Sequence, residues 1–343
     1  MAKIQMAKRA ESPAKRSRAA SKLTEVKSGE LVTVLDFVRF AASRFVEAKL
    51  TFAHGTTDPA AEAAFLVCET LYLHPDQFNA FANARVTARE AKSILDLIAL
   101  RIASRKPAAY LVNKIYMRGL PFHVDERVIV PRSYIGELLD SHFGGRDGEP
   151  GALIEDADAV ESVLDLCTGS GCLAVLASRT FPNAKIDAVD ISADALEVAA
   201  RNVADYNLQD RVMLHRGDLF GPIGDKRYDL IICNPPYVDA EGMAALPLEC
   251  RAEPKLAFAG GANGLDVISR MLSEARRHLT PEGGLLCEVG RCRPALEAAY
   301  PLTEFLWLDT EDSEGEVFWI YRRSLNFQMN LKNPAANPSK PPH

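Results

Sequence analysis

The sequence has no apolar run approaching the roughly 18 to 20 uninterrupted residues that a membrane-crossing helix requires. Its first residues also lack the apolar core of a secretory signal. The chain is therefore expected to be soluble and cytoplasmic, with no membrane partner. Paired cysteine patterns are missing too: seven cysteines stand at 68, 167, 172, 233, 250, 287 and 292, with no C-x-x-C spacing and no accompanying histidine cluster. Neither a disulfide framework nor a metal site is indicated, and small buried thiols in a reducing compartment are expected. Cationic excess is absent from most of the chain. The net charge is −6, yet residues 1–27 carry eight Lys/Arg against Glu11 and Glu25, which leaves the remainder near −12. An acidic body argues against nucleic acid as the main target. Residues 1–29, rich in Ala, Ser and Lys without an apolar stripe, read as a disordered basic arm able to make weak RNA contact. An organellar transit peptide is a further reading of the same arm. The Pro- and Asn-rich stretch 324–343 reads as a tail.

What is present, 343 residues of which 48% are hydrophobic, suffices for one α/β domain plus a smaller one. Residues 30–106 have helical periodicity, as in Leu31, Val34, Leu35 and Val38. Asp58-Pro59 supplies a cap and a first-turn proline, and Thr87-Ala88-Arg89-Glu90 has capping-box spacing. This predicts a small helical domain. Across 107–142 the pattern turns β-rich, in Tyr110–Tyr116 and Phe122–Val130 around Arg118-Gly119-Leu120-Pro121, which predicts a connecting hairpin. Gly144–Glu161 reads as a surface loop. Within 143–323, short apolar runs at Ser162–Cys167, Ile186–Ile191, Val212–Leu214, Tyr228–Asn234 and Leu285–Val289 alternate with helical segments at Cys172–Phe181, Ala193–Tyr206 and Gly264–Leu279. Phe305–Leu308 and Val317–Tyr321 complete seven strands. The fold class is α/β: a doubly wound, Rossmann-like seven-stranded sheet with a small N-terminal helical domain.

In such a sheet ligands bind beyond the carboxyl ends of the strands. The first strand runs into Cys167-Thr168-Gly169-Ser170-Gly171, whose glycines permit a tight turn and close approach to a ligand. The second ends at Asp190-Ile191, where a carboxylate can accept from ribose hydroxyls. Both features also fit a nicotinamide dinucleotide enzyme. After the third strand come Asp218 and Leu219, an acid and an apolar residue where an adenine would sit. The fourth strand decides between the cofactors, because it runs into Asn234-Pro235-Pro236-Tyr237. The prolines stiffen the turn and remove backbone donors. An Asn side-chain oxygen and a proline carbonyl can then accept the two hydrogens of a planar NH₂ group, with the tyrosine ring packing over it. An amide nitrogen is a poor nucleophile because its lone pair is delocalised, so catalysis must act mainly by placement. No general base is evident.

Asn234-Pro235-Pro236-Tyr237, together with the glycine loop and Asp190, resembles class I methyltransferases acting on planar amino groups. Arg127-Val128-Ile129-Val130-Pro131-Arg132-Ser133, Glu253-Pro254-Lys255-Leu256-Ala257-Phe258, Gly264-Leu265-Asp266 and Glu288-Val289-Gly290 extend the resemblance to the protein-glutamine methyltransferase family over about residues 31 to 322. One branch of that family modifies release factors and usually reads Pro-Arg-Pro-Glu-Thr before the sheet. Pro131-Arg132-Ser133-Tyr134-Ile135-Gly136-Glu137-Leu138 resembles instead the branch acting on the third protein of the large ribosomal subunit, although Tyr134 and Gly136 depart from its usual wording. The resemblance implies S-adenosylmethionine as cofactor, with Cys167 to Gly171 around its methionine end, Asp190 and Ile191 at its ribose, and Asp218 and Leu219 beside its adenine. It implies that Asn234 to Tyr237 grip the glutamine amide, Asn234 bordering the cofactor as well, and that Arg132 lies near the mouth. A large ribosomal-subunit protein is the implied partner, its basic character suited to the acidic body. The alternatives are a release factor substrate, an adenine-directed nucleic-acid methyltransferase, a nicotinamide oxidoreductase and a non-enzymatic assembly factor.

Overall fold

The computed structural model describes residues 24–27, 29–143 and 153–325. Most of the basic arm and nearly all of the C-terminal tail lie outside the described residues. The chain divides into two compact units.

The first unit comprises residues up to Asn113 together with Pro247–Ala252. It holds helices α1 (Val34–Glu47), α2 (Pro59–Thr70), α3 (Ala88–Ser104) and α4 (Ala108–Val112). Each of the first three starts at a side-chain cap: Thr33 and Thr87 form capping boxes with Asp36 and Glu90, and Asp58 accepts from Ala60 N and Ala61 N. Phe37, Phe45, Leu66, Ile94 and Ile98, spaced at helical intervals, bury the shared core. Within that core Arg101 is fully buried, donating from Nε to Glu62 Oε1 at 2.8 Å and from Nη2 to Oε2 at 3.3 Å. Glu249, from the returning segment, accepts from Thr51 N at 3.1 Å and pairs with Arg105 Nη2 at 2.6 Å.

The second unit comprises Lys114–Leu246 and residues from Glu253 onward. It opens with a hairpin, β1 (Ile115–Met117) and β2 (Leu120–Phe122), turning at Arg118-Gly119 where both residues have positive φ. The hairpin is shorter than the sequence predicts. Tyr110 begins no strand, because Pro107 opens helix α4 and left-handed Asn113 closes it. The chain after Phe122 leaves the ladder because its polar groups bond elsewhere: His123 N donates to Asn202 Oδ1 at 2.8 Å, and the Asp125 carboxylate binds Arg127.

Helix α5 (Ile135–Ser141) then leads to the sheet: β3 (Ser162–Leu166), α6 (Cys172–Thr180), β4 (Lys185–Asp190), α7 (Ala193–Asp205), β5 (Val212–Arg216), β6 (Tyr228–Cys233), α8 (Ala240–Ala245), α9 (Asp266–Ala275), β7 (Leu279–Glu288), α10 (Arg293–Ala299), β8 (Leu306–Leu308) and β9 (Val317–Tyr321). The strand order is β5-β4-β3-β6-β7-β9-β8, parallel except for β9, which runs antiparallel to β7 and β8. This is the predicted doubly wound sheet of seven strands. Its central strands are buried on both faces, with Leu164, Ile231, Leu286 and Trp319 at 0% exposure, which accounts for their continuous apolar runs.

Candidate active site

The order reverses between β3 and β6, and the carboxyl ends of those two strands are the topological switch point. Leu166 pairs with Cys233, so the glycine loop and Asn234-Pro235-Pro236-Tyr237 leave the sheet side by side. Three alternate loop residues, Cys167, Gly169 and Gly171, take positive φ, which coils the backbone and turns it into α6. A Cβ on Gly171 would lie 3.2 Å from the Ala199 methyl, so this position also lets α6 approach α7. Asn202 on α7 pins the loop, donating to Ser170 O at 2.8 Å and to His123 O at 3.0 Å. Thr168 and Ser170 are buried, and the Cys167 thiol is pushed far up by its hydrogen bond with the neighbouring Cys233 and by burial.

Asp190 closes the loop from β4, accepting from Gly169 N and Ser192 N, each at 2.9 Å. Burial raises its carboxyl above the usual range. Ile191 beside it is 51% exposed, an aliphatic surface next to an acid. Leu219 sits in the core with positive φ, while Asp218 faces outward to Arg270 at 2.5 Å. Asp165 lies fully buried in β3 beneath the loop. Its Oδ2 accepts from Thr168 Oγ1 at 2.5 Å, and burial, opposed by that bond and by the Ala174 backbone N–H, pushes its pKa up to about 7.

Around Asn234-Pro235-Pro236-Tyr237 three segments distant in sequence converge. Tyr237 Oη donates to Glu288 Oε1 at 2.8 Å, and the other Glu288 oxygen accepts from Ser133 Oγ at 2.7 Å and Tyr134 N at 3.0 Å. Burial raises the Glu288 carboxyl and, with that carboxyl beside it, pushes the Tyr237 phenol far above its ordinary value. Gly290, at φ +50°, leaves room for the ring: a Cβ there would stand 2.5 Å from Tyr237 Cε2. Glu253 is buried and accepts from Val130 N at 2.9 Å and Arg132 Nη1 at 2.8 Å, while the Arg132 guanidinium lies over the Phe258 ring at 5.6 Å. Arg132 is thus held in an ion pair, close enough for its charge to act on Tyr237. Past the tetrapeptide, Val238 N donates to Phe258 O at 2.7 Å and Cys292 Sγ to Tyr237 O at 2.9 Å.

The sequence-predicted loop, Asp190, Ile191 and the tetrapeptide therefore gather at one edge of one sheet, with Leu219 at the end of the next strand. Asp218 instead spends its carboxylate on Arg270. Sequence reasoning assigned no role to Asp165, Asn202, Glu253 or Glu288. The legible signals were an acid in the otherwise apolar Ser162–Leu166 strand and another ending Leu285–Glu288, since carboxylates are seldom fully buried without purpose.

The residues fit S-adenosylmethionine. Gly169 has open space where a Cβ would stand, so a ligand can approach the loop, and the half-exposed Ile191 offers an apolar surface to a flat ring beside the Asp190 carboxylate, an acceptor for hydroxyls. Strand order and site together define a class I S-adenosylmethionine-dependent methyltransferase. A model described as the methyltransferase small domain matches residues 151–249. A relative from Bradyrhizobium diazoefficiens is 71% identical over 318 residues, covering 93% of this chain and 99% of its own. Relatives from Bordetella pertussis (48% over 297 residues; 87% and 97% covered) and Burkholderia pseudomallei (49% over 300; 85% and 95%) are similar throughout. All three bear the name ribosomal protein uL3 glutamine methyltransferase, and the chain belongs to that family.

Proposed function

We propose that this protein methylates a glutamine side-chain amide nitrogen of ribosomal protein uL3, acting in the cytoplasm. The observation that carries the reading is the rigid tetrapeptide at the β6 terminus beside the glycine loop, with Tyr237 fixed by Glu288. Bound S-adenosylmethionine supplies an electrophilic methyl carbon on a sulfonium centre. Cys167 to Gly171 would hold its methionine end, Asp190 and Ile191 its ribose, and Leu219 its adenine, with Asp218, held by Arg270, at the rim. Asn234 Oδ1 and the Pro235 carbonyl accept the two amide hydrogens, which turns the nitrogen lone pair toward the methyl donor. Tyr237 covers the amide plane and excludes water. Such placement can contribute on the order of 7–11 kcal/mol to lowering the barrier. The same acceptors stabilise positive charge developing on nitrogen, and the methylated nitrogen gives up one of its two protons to solvent as the product leaves the site. The helical unit binds the protein substrate, and the negative body steers a basic one. The test presents labelled methyl donor to uL3, release factor and adenine-containing DNA in parallel, with mass spectrometry of the products. Methylglutamine in uL3 alone is expected; label on release factor or adenine overturns the substrate assignment.

A further inference from the structure

Away from the strand ends that carry the site, the fold brings together three dibasic pairs widely separated in sequence: Lys226-Arg227, Arg276-Arg277 and Arg322-Arg323. His278 Nδ1 donates to Lys226 O at 3.0 Å, and Arg322 Nε donates to Arg276 O at 3.2 Å, so the pairs adjoin. Between the first two pairs lies an open cleft of about 480 Å³ lined by Phe220, Asp225, Arg227, Glu274, Arg277 and His278. These six cations stand on a body whose overall charge is strongly negative, with Asp225 and Glu274 also lining the cleft. Part of this charge has structural work: Lys226 pairs with Asp187 at 2.9 Å, Arg323 lies over the Tyr321 ring, and Arg276 and Arg277 follow the C-terminus of α9, where cations offset the helix dipole. A helix end needs no contribution from 226–227 or 322–323, however, and Arg227, Arg277 and Arg323 are all exposed on this same face.

We propose that this basic face binds the phosphate backbone of RNA, which would let the enzyme engage its ribosomal substrate within a ribonucleoprotein. That the polyanion is RNA rests on the uL3 reading; the patch itself does not. Arg227, Arg277 and Arg323 are exposed and make the phosphate contacts, which are independent of base sequence. The test measures binding of a fluorescein-labelled 20-nucleotide oligouridylate to the full-length protein by anisotropy at several salt concentrations. It compares wild type with the triple variant Arg227→Glu/Arg277→Glu/Arg323→Glu and the milder Arg→Gln triple. Both variants are expected to methylate free uL3 at the wild-type rate, which certifies their fold. The Glu variant should bind RNA at least tenfold more weakly, and the slope of log affinity against log salt should fall by about 2, at roughly 0.7 per lost contact on a single strand. Unchanged affinity and slope in both variants would assign any RNA binding to the arm and overturn the proposal, as would absence of wild-type binding. Failure of uL3 methylation with RNA binding intact would instead remove the substrate reading and leave the basic face standing.

Discussion

Replacing Glu288 by Ala tests whether the position of Tyr237 is imposed from behind. The substitution leaves three donors, Tyr237 Oη, Ser133 Oγ and Tyr134 N, without their buried acceptor. At about 1–3 kcal/mol for each unsatisfied buried group, offset by relief of a buried charge and by the freedom of two hydroxyls to turn, a net loss of about 2–5 kcal/mol is expected. The catalytic effect should be separate and larger than stability explains. A ring released by about 1 Å costs roughly a hundredfold in rate where catalysis rests on placement. Glu288→Gln should behave differently: its oxygen can face Ser133 and Tyr134 N, the backbone N–H being unable to accept, while its amide donates to Tyr237 Oη. Such a variant keeps the ring in place, and its kcat should stay within about tenfold of wild type. Thermal unfolding and steady-state methyl transfer on each variant read the two effects separately. A folded Ala variant with kcat within twofold of wild type would refute the positioning argument, and a Gln variant as impaired as Ala would show that charge, not placement, matters.

Three further outcomes are expected. In the helical unit, Glu62→Ala strands the buried Arg101 guanidinium and should cost about 3–5 kcal/mol, whereas Glu62→Leu/Arg101→Met should restore stability; denaturant midpoints decide, and a single-variant loss below 1 kcal/mol contradicts it. The Asp165 carboxyl has a folded pKa of about 7 against 3.8 unfolded, so the folded state holds the extra proton and stability falls as pH rises between those values. Asp165→Asn should therefore lose about 2–3 kcal/mol less than wild type between pH 5 and pH 8, with a residual slope from Asp190 and Glu288, which are raised in the same direction; equal slopes in urea unfolding at the two pH values would contradict the assignment. Asp190→Ala should weaken cofactor binding by roughly 10- to 100-fold through loss of charge-assisted hydrogen bonds, with saturated kcat within a few-fold; calorimetric titration checks this, and unchanged affinity removes Asp190 from the site.

Legibility in the sequence followed interaction range. The capped helices, the alternation of strands and helices, and the residues at each strand terminus are written locally, in caps, periodicity and β-branched runs. The pairs Ser133–Glu288 and Arg132–Glu253 lie 155 and 121 residues apart, and only the folded chain shows that the three segments meet at Tyr237. The hairpin is shorter than its composition predicts for the same reason. Phe122–Val130 has strand composition, yet His123 N and O bond Asn202, Arg127 N bonds the Asp125 carboxylate and Val130 N bonds Glu253. Nor does anything in Pro247–Ala252 reveal that it joins the helical unit through Glu249.

The most direct test of the central claim is Asn234→Ala, examined for single-turnover methyl transfer to uL3 and, by calorimetry, for cofactor affinity. Transfer should vanish while the cofactor still binds within about threefold of wild type, because Asn234 acts on the amide that receives the methyl group. Wild-type turnover in the variant would contradict the mechanism, and parallel loss of cofactor binding would move Asn234 from the amide to the cofactor.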